Sequence, residues 1–126
     1  MVNVPTQVSY WREGAREDWQ VACELIAAGR IRHGFFLAHL ALEKLLKAHV
    51  CLETQDLAPR LHNLVRLSEL AGLTLDPDRM DHLARMNLFS IEGRYPESLA
   101  PLPTEEETQQ YLARTREIFE WLIRQL

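Results

Sequence analysis

The sequence predicts an all-α protein, an antiparallel up-and-down bundle of four to five helices, and three observations carry that prediction. Glycine and proline are sparse, five and six in 126 residues, and no proline falls within the two longest apolar-rich stretches, which favours long helices over many short strands. Apolar residues recur at three- and four-residue steps, the spacing that lines one face of a helix. They make up 47% of the chain against 25% charged, enough for a packed core, and 126 residues suit one domain over 1–126.

The first helix is expected over residues 9–28, where Trp11, Ala15, Trp19, Ala22 and Ile26 share a face and Gly29 is the stop. The second, over 31–52, is apolar around most of its girth: Phe35, Ala38, Leu42, Leu45 and Leu46 lie on one side, with Leu37, Ala41 and Ala48 beside them. Such a helix belongs at the centre of a bundle or in a subunit interface. The polar stretch 53–60, with Pro59, precedes a short third helix over 61–71, closed by Gly72. Asp76-Pro77-Asp78 combines an N-cap, a proline at the first helical position and an acidic first turn, and opens a fourth helix that carries Met80, Leu83, Ala84 and Met86 to about residue 90. Thr104 to Glu107 is a capping box for a fifth helix, whose inner face continues through Leu112, Thr115, Ile118 or Phe119, and Leu122. The connection over 91–103 is the longest without helix, a length associated with function or mobility.

A formal charge of −4 argues against a broadly basic nucleic-acid-binding surface and leaves a local basic groove open. Arginine outnumbers lysine by 12 to 2, which suits planar, bidentate recognition of phosphate or carboxylate and equally fits codon bias or a thermophilic habit. Cys23 and Cys51, the two cysteines, form neither a CxxC nor a zinc-spaced cluster, so a reducing cytoplasm without disulfides is expected. The first residues lack a basic stretch followed by an apolar run, and the longest apolar segment, 35–42, is broken by His39 and far short of the roughly 20 residues a bilayer demands. No export signal and no membrane anchor are expected.

His33, His39, His49, His62 and His82 invite a search for metal or acid/base chemistry. A di-metal bundle uses Glu-x-x-His on separate helices, and no Glu here is followed by His at that spacing, so neither a metal nor another cofactor is expected. A Gly-rich phosphate loop and a G-x-S-x-G elbow are also missing, and neither cysteine has the context of a nucleophile. What remains is a polar set: Glu43, Lys44 and Lys47 on the second helix, His62-Asn63 opening the third, Arg85 and Asn87 on the fourth, and Arg94-Tyr95-Pro96 in the long connection. Each has a structural reading: Glu43 with Lys47 is an ordinary i,i+4 pair, His62 or Asn63 a helix cap, and Tyr95-Pro96 a turn that packs a ring on the bundle.

Together these residues carry a resemblance. Trp11 and Asp18 on a first helix, the A-x-E-K-x-x-K-A string at Ala41, Glu43, Lys44, Lys47 and Ala48, the H-N-L at His62, Asn63 and Leu64, and the R-Y-P at Arg94, Tyr95 and Pro96 before a long final helix make the chain similar to small prokaryotic members of the HEPN family. The resemblance covers nearly the whole chain and implies a helical bundle that commonly forms homodimers. It implies one of two activities. Many members are metal-independent ribonucleases with an R-x4-6-H motif near the start of a late helix; others lack the motif and act as binding subunits beside a minimal nucleotidyltransferase in toxin-antitoxin-like pairs. Arg85 lies in the expected region, but Ser90, Ile91 and Glu92 stand where the histidine would be. The one formal match, Arg32 with His39, lies on the second helix, away from that segment.

The reading preferred on this basis is a dimeric subunit that binds a nucleotide or RNA end and works with a nucleotidyltransferase partner. Lys44, Lys47, Arg85 and Arg94 would supply charge for phosphate, His62 and Asn63 hydrogen bonds, and Tyr95 a stacking surface, with no catalytic residue assigned. The alternatives are a ribonuclease toxin, in which His62 or His39 replaces the missing histidine, and a purely structural dimerisation module.

Overall fold

A computed structural model describes residues 2–126, the Ser98 side chain excepted. Helix α1 spans Val4–Ala27, α2 Ile31–Thr54, α3 Leu64–Leu70, α4 Pro77–Glu92 and α5 Glu105–Arg124, and a single 3-10 turn, Pro96–Ser98, lies in the connection before α5. The described residues contain no strand, and the fold is an all-α bundle.

Local chemistry explains each start. α1 begins about one turn earlier than its periodicity predicts: the Asn3 side chain accepts from Thr6 N at 3.1 Å, Pro5 occupies the first turn, and Val4 and Val8 extend the Trp11 and Ala15 face into buried positions. α3 begins at Leu64, later than predicted, because Asn63 is its N-cap and accepts from Val65 N and Arg66 N at 3.0 and 3.2 Å. Asp76 caps α4 through Arg79 N at 3.1 Å. The capping box of α5 is reciprocal, with Glu107 N to Thr104 at 3.1 Å and Thr104 N to Glu107 at 2.9 Å.

α1 and α2 form a close hairpin. Gly29 closes α1 at φ 81°, a left-handed conformation that favours glycine. Gly34 allows the first turn of α2 to approach α1, since a β-carbon there would collide with Ile26 Cγ1. α2 touches each of the other α-helices and is the centre of the bundle, buried from Gly34 to Cys51 on nearly all sides. Phe35, Leu42, Leu45 and Leu46 meet Leu64 and Leu67 of α3, Leu83 and Met86 of α4, and Ile118 and Leu122 of α5 in one fully buried core. Burial of such side chains stabilises a fold by about 1.5–3 kcal/mol each before entropy is counted. His49 of α2 ties to α5 by donating from Nε2 to the Leu122 carbonyl at 2.8 Å. By contrast, α4 and α5 meet sparsely, and clefts open between them. Among the described residues no helix is long and apolar enough to cross a membrane.

Candidate functional site

The helical period places His39, Glu43 and Lys47 of α2 one above another on a face turned toward α3 and α4. Glu43 is buried, 4% exposed, and its carboxylate is the hub of the junction. One oxygen accepts from Lys47 Nζ at 3.0 Å, and the other accepts from His62 Nδ1 at 3.0 Å. Lys47 is buried as well and lies 5.3 Å from the Trp11 ring centre, so its charge is met by a carboxylate on one side and an aromatic face on the other. Burying a charge without such partners would cost several kcal/mol.

His62 differs from its neighbours in standing largely in solvent, with its side chain 59% exposed. Because a carboxylate only accepts, the Glu43 contact fixes the proton on His62 Nδ1 and leaves Nε2 as the free nitrogen of the neutral ring. His39, in contrast, is buried inside. Its Nε2 donates to Asn87 Oδ1 at 3.2 Å, and desolvation, the largest influence, pushes its pKa below the usual histidine value. Asn87 joins three elements: its oxygen also accepts from Leu64 N at 3.0 Å, and its amide donates to Asn63 Oδ1 at 3.1 Å. A shallow cleft of about 200 Å³ opens beside this network, lined by His62, Asn63, Asn87, Ser90 and Ile91. Arg94, just past the end of α4, donates to the Ser90 carbonyl at 3.1 Å and to the Ser90 hydroxyl, with its guanidinium 5.2 Å from the Phe36 ring centre. It lies near enough to His39 to help lower that pKa.

The structure therefore gathers Lys47, His62, Asn63 and Arg94 around one junction and disperses the rest of the sequence-predicted set. Lys44, about 300° around the helix from Lys47, turns to α1 and pairs with Asp18 at 2.7 Å. Arg85 lines a separate cleft between α4 and α5. Tyr95 is about half exposed and is not among the residues lining the His62 cleft. Arg32 and His39 do not converge: Arg32 donates to the Ala100 carbonyl at 2.6 Å and pairs with Glu92 at 3.4 Å, clamping the α4–α5 connection, while His39 points to Asn87. Asn87 and Glu43, quoted in the polar set without a site role, organise the junction, together with His39 and Ser90. A sequence signal existed, since Leu83, Met86, Asn87 and Ser90 share the inner stripe of α4, where a polar residue demands a partner.

The two thiols stand apart from this chemistry. Burial raises the pKa of both Cys23 and Cys51, which disfavours the thiolate. Among the described residues no group of three or more His, Cys, Asp or Glu side chains is arranged to hold a metal ion.

The geometry can be set beside known proteins. The family model for the HEPN domain matches residues 8–126. The chain belongs to the HEPN family. This HEPN protein also resembles a solved structure, TT1696 from Thermus thermophilus, with a TM-score of 0.77 and 22% identity over 95% of this chain and 98% of that one. At that identity the likeness speaks for the fold, and both proteins have the same bundle. No curated protein matches the sequence. Within the HEPN frame, Ala41 to Ala48 forms the Glu43–Lys47 hub, His62-Asn63-Leu64 supplies the exposed histidine and the α3 cap, and Arg94 stands at the exit of α4.

Proposed function

We propose that this HEPN protein is a single-domain subunit that binds a nucleotide or an RNA end and acts in the cytoplasm with a minimal nucleotidyltransferase partner, in a toxin-antitoxin-like pair. One observation carries the reading: an exposed imidazole, His62, is anchored by the buried Glu43 beside a cleft that offers Asn63, Asn87 and Ser90, with Arg94 bonded to Ser90. A fixed ring nitrogen and amide groups suit the polar edge of a base, and an arginine suits phosphate. The charges of Lys44 and Lys47 are already engaged, so recognition falls to His62, Asn63 and Arg94. Ile91, Tyr95 and Leu99 stand exposed on the last turn of α4 and the following connection, an apolar surface that supports pairing into a homodimer.

Calorimetry with nucleoside triphosphates and short RNA ends tests the reading. Saturable binding that weakens about tenfold in His62→Ala with the fold retained is expected, the worth of one good polar contact. Absence of heat with every ligand and of any complex with the nucleotidyltransferase rejects it. The Glu43–His62 pair favours a second reading, a metal-independent ribonuclease, because a carboxylate that holds Nδ1–H presents Nε2 as a general base for a ribose 2′-hydroxyl. Cleavage of a mixed RNA that disappears in His62→Ala selects this reading, and intact RNA rejects it.

A further inference from the structure

The gap between α4 and α5 is a second polar site, remote in chemistry from the His62 junction. Its middle is a cleft of about 140 Å³ lined by His82, Arg85, Glu107, Gln110, Tyr111 and Arg114. Seven of the twelve arginines are engaged: Arg12 and Arg16 with Glu13, Arg32 with Glu92, Arg66 with Glu69, Arg79 with Glu117, Arg94 with Ser90 and Arg116 with Cys23. Arg85 and Arg114, exposed and facing one cavity from opposite helices, make no ion pair or side-chain hydrogen bond among the described residues. The one acid beside them, Glu107, is held by Thr104 N at 2.9 Å in the capping box. Glu107 offsets one of the two positive charges, so the cleft keeps a net positive charge, and an anion between the guanidiniums removes the repulsion that is left.

The floor and the two ends narrow the ligand. On the floor, the buried His82 donates from Nε2 to Thr115 Oγ1 at 2.8 Å, since that hydroxyl gives its own proton to the Tyr111 carbonyl at 2.8 Å. The ring is kept neutral, so the cleft holds two positive charges and not three. One end runs on into a cleft where Leu88, Phe89, Pro101, Leu102 and Pro103 form an apolar shelf, beside Glu107 and a Glu92 that is paired with Arg32. The other end carries Asp76 and Asp78, with Glu117 paired to Arg79, an acidic margin that turns away a continuing polyanion. Two guanidinium forks match the three free oxygens of a terminal phosphate, whereas a carboxylate's two oxygens saturate on a single fork.

We propose that the Arg85–Arg114 cleft binds a small phosphomonoester, with the phosphate between the two guanidiniums and an apolar or planar body over the Leu88, Leu102 and Pro103 shelf. The site is independent of His62, so it stands or falls apart from the function proposed above.

Calorimetry on the full chain carrying His62→Ala, which disables the junction proposed above to take a nucleotide or RNA end, decides it with adenosine monophosphate and with phenyl phosphate, and adenosine and a diester-only adenosine dinucleotide serve as controls. Both phosphomonoesters are expected to bind saturably at one per chain, and the controls to give no saturable heat. In that background Arg85→Ala and Arg114→Ala should each weaken binding about a further tenfold, the loss of one charge-assisted contact. The proposal is overturned if neither phosphomonoester saturates in the His62→Ala chain, if both arginine variants bind as that parent does, or if the dinucleotide binds equally well. Both arginines are exposed and unpaired, so the variants will fold, and a thermal melt verifies it.

Discussion

Helix α4 presents two polar faces built on opposite terms. Toward α2 and α3 it offers Asn87 and Ser90, and there the buried groups are matched: Asn87 satisfies Leu64, His39 and Asn63, while Glu43 satisfies Lys47 and His62. Toward α5 it offers His82 and Arg85, and there two guanidiniums share a cleft with a single carboxylate, Glu107, and neither forms an ion pair among the described residues. Desolvation accounts for the difference. A buried charge must arrive with its partner or the bundle does not close, whereas a charge at an open cleft is solvated and stays available. Polar residues of one helix thus divide into ties that specify how three helices meet and groups left for a ligand, and His62 belongs to both by having one nitrogen in each world.

The largest break of this comparison is Glu43→Ala. It leaves the Lys47 ammonium buried without its carboxylate and frees His62, so a loss of about 3–5 kcal/mol in urea unfolding is expected. The double change Glu43→Leu with Lys47→Met removes both charges and should restore most of that loss, because well-packed apolar replacement of a buried pair is often neutral. A loss below about 1 kcal/mol for Glu43→Ala would show the junction to be solvated, and the contrast with the α5 face would collapse.

A smaller effect comes from the buried floor of the other face. His82 is 3% exposed and its pKa is lowered to about 4, by burial first and then by Arg114 and Arg85, against a small opposing effect of Glu117. The facing groups are thus Arg85 on its own helix and Arg114, Glu117 and the Thr115 hydroxyl on α5. The folded pKa lies below the unfolded value of 6.5, so above that pH both states are neutral and nothing is lost. As pH falls, the unfolded chain takes up the proton first, and the fold loses about 2 kcal/mol by pH 5 and roughly 3 kcal/mol by pH 4. His39 and His49, also lowered by burial, act in the same direction. Urea unfolding of wild type and His82→Gln across this range isolates the His82 share; parallel pH curves for the two proteins would contradict it.

Much of the fold is legible in the sequence because its signals are local. Asp76-Pro77, the Thr104–Glu107 box and Gly29 each act within one turn of chain and sit where they are expected. The start of α1 was equally local, with Asn3 and Pro5 in plain view, but the apolar stripe is taken up only at Trp11, and Val4 and Val8 are passed over. The site is less legible because its contacts are not local. Glu43 and His62 are 19 residues apart and meet only because the 55–63 segment returns to α2, and no spacing rule encodes that path. Lys44 and Lys47 look equivalent in the A-x-E-K-x-x-K-A string, yet one turns outward to Asp18 and the other inward to Glu43. Helical phase separates those two, but which phase faces inward is set by where α1 and α3 pack.

The smallest expected effect is the sharpest test of the comparison. If the α5 face is ligand surface and not structure, then removing both Arg85 and Arg114 by substitution with Ala changes stability at neutral pH by less than about 0.5 kcal/mol, as for surface positions without partners. The same double variant has a second signature. His82 is neutral above pH 6.5, so the arginines do not act on it there, but their charges hold its folded pKa down at lower pH. Without them only burial depresses it, the folded pKa climbs back toward 6.5, and the acid loss between pH 6.5 and 4 shrinks. A protein whose stability is unchanged at neutral pH and higher than wild type near pH 5 therefore identifies two cations that face His82 across an open cleft and take no part in the packing. A loss above about 1 kcal/mol at neutral pH would instead make the guanidiniums part of the packing, and the two faces of α4 would then follow one rule.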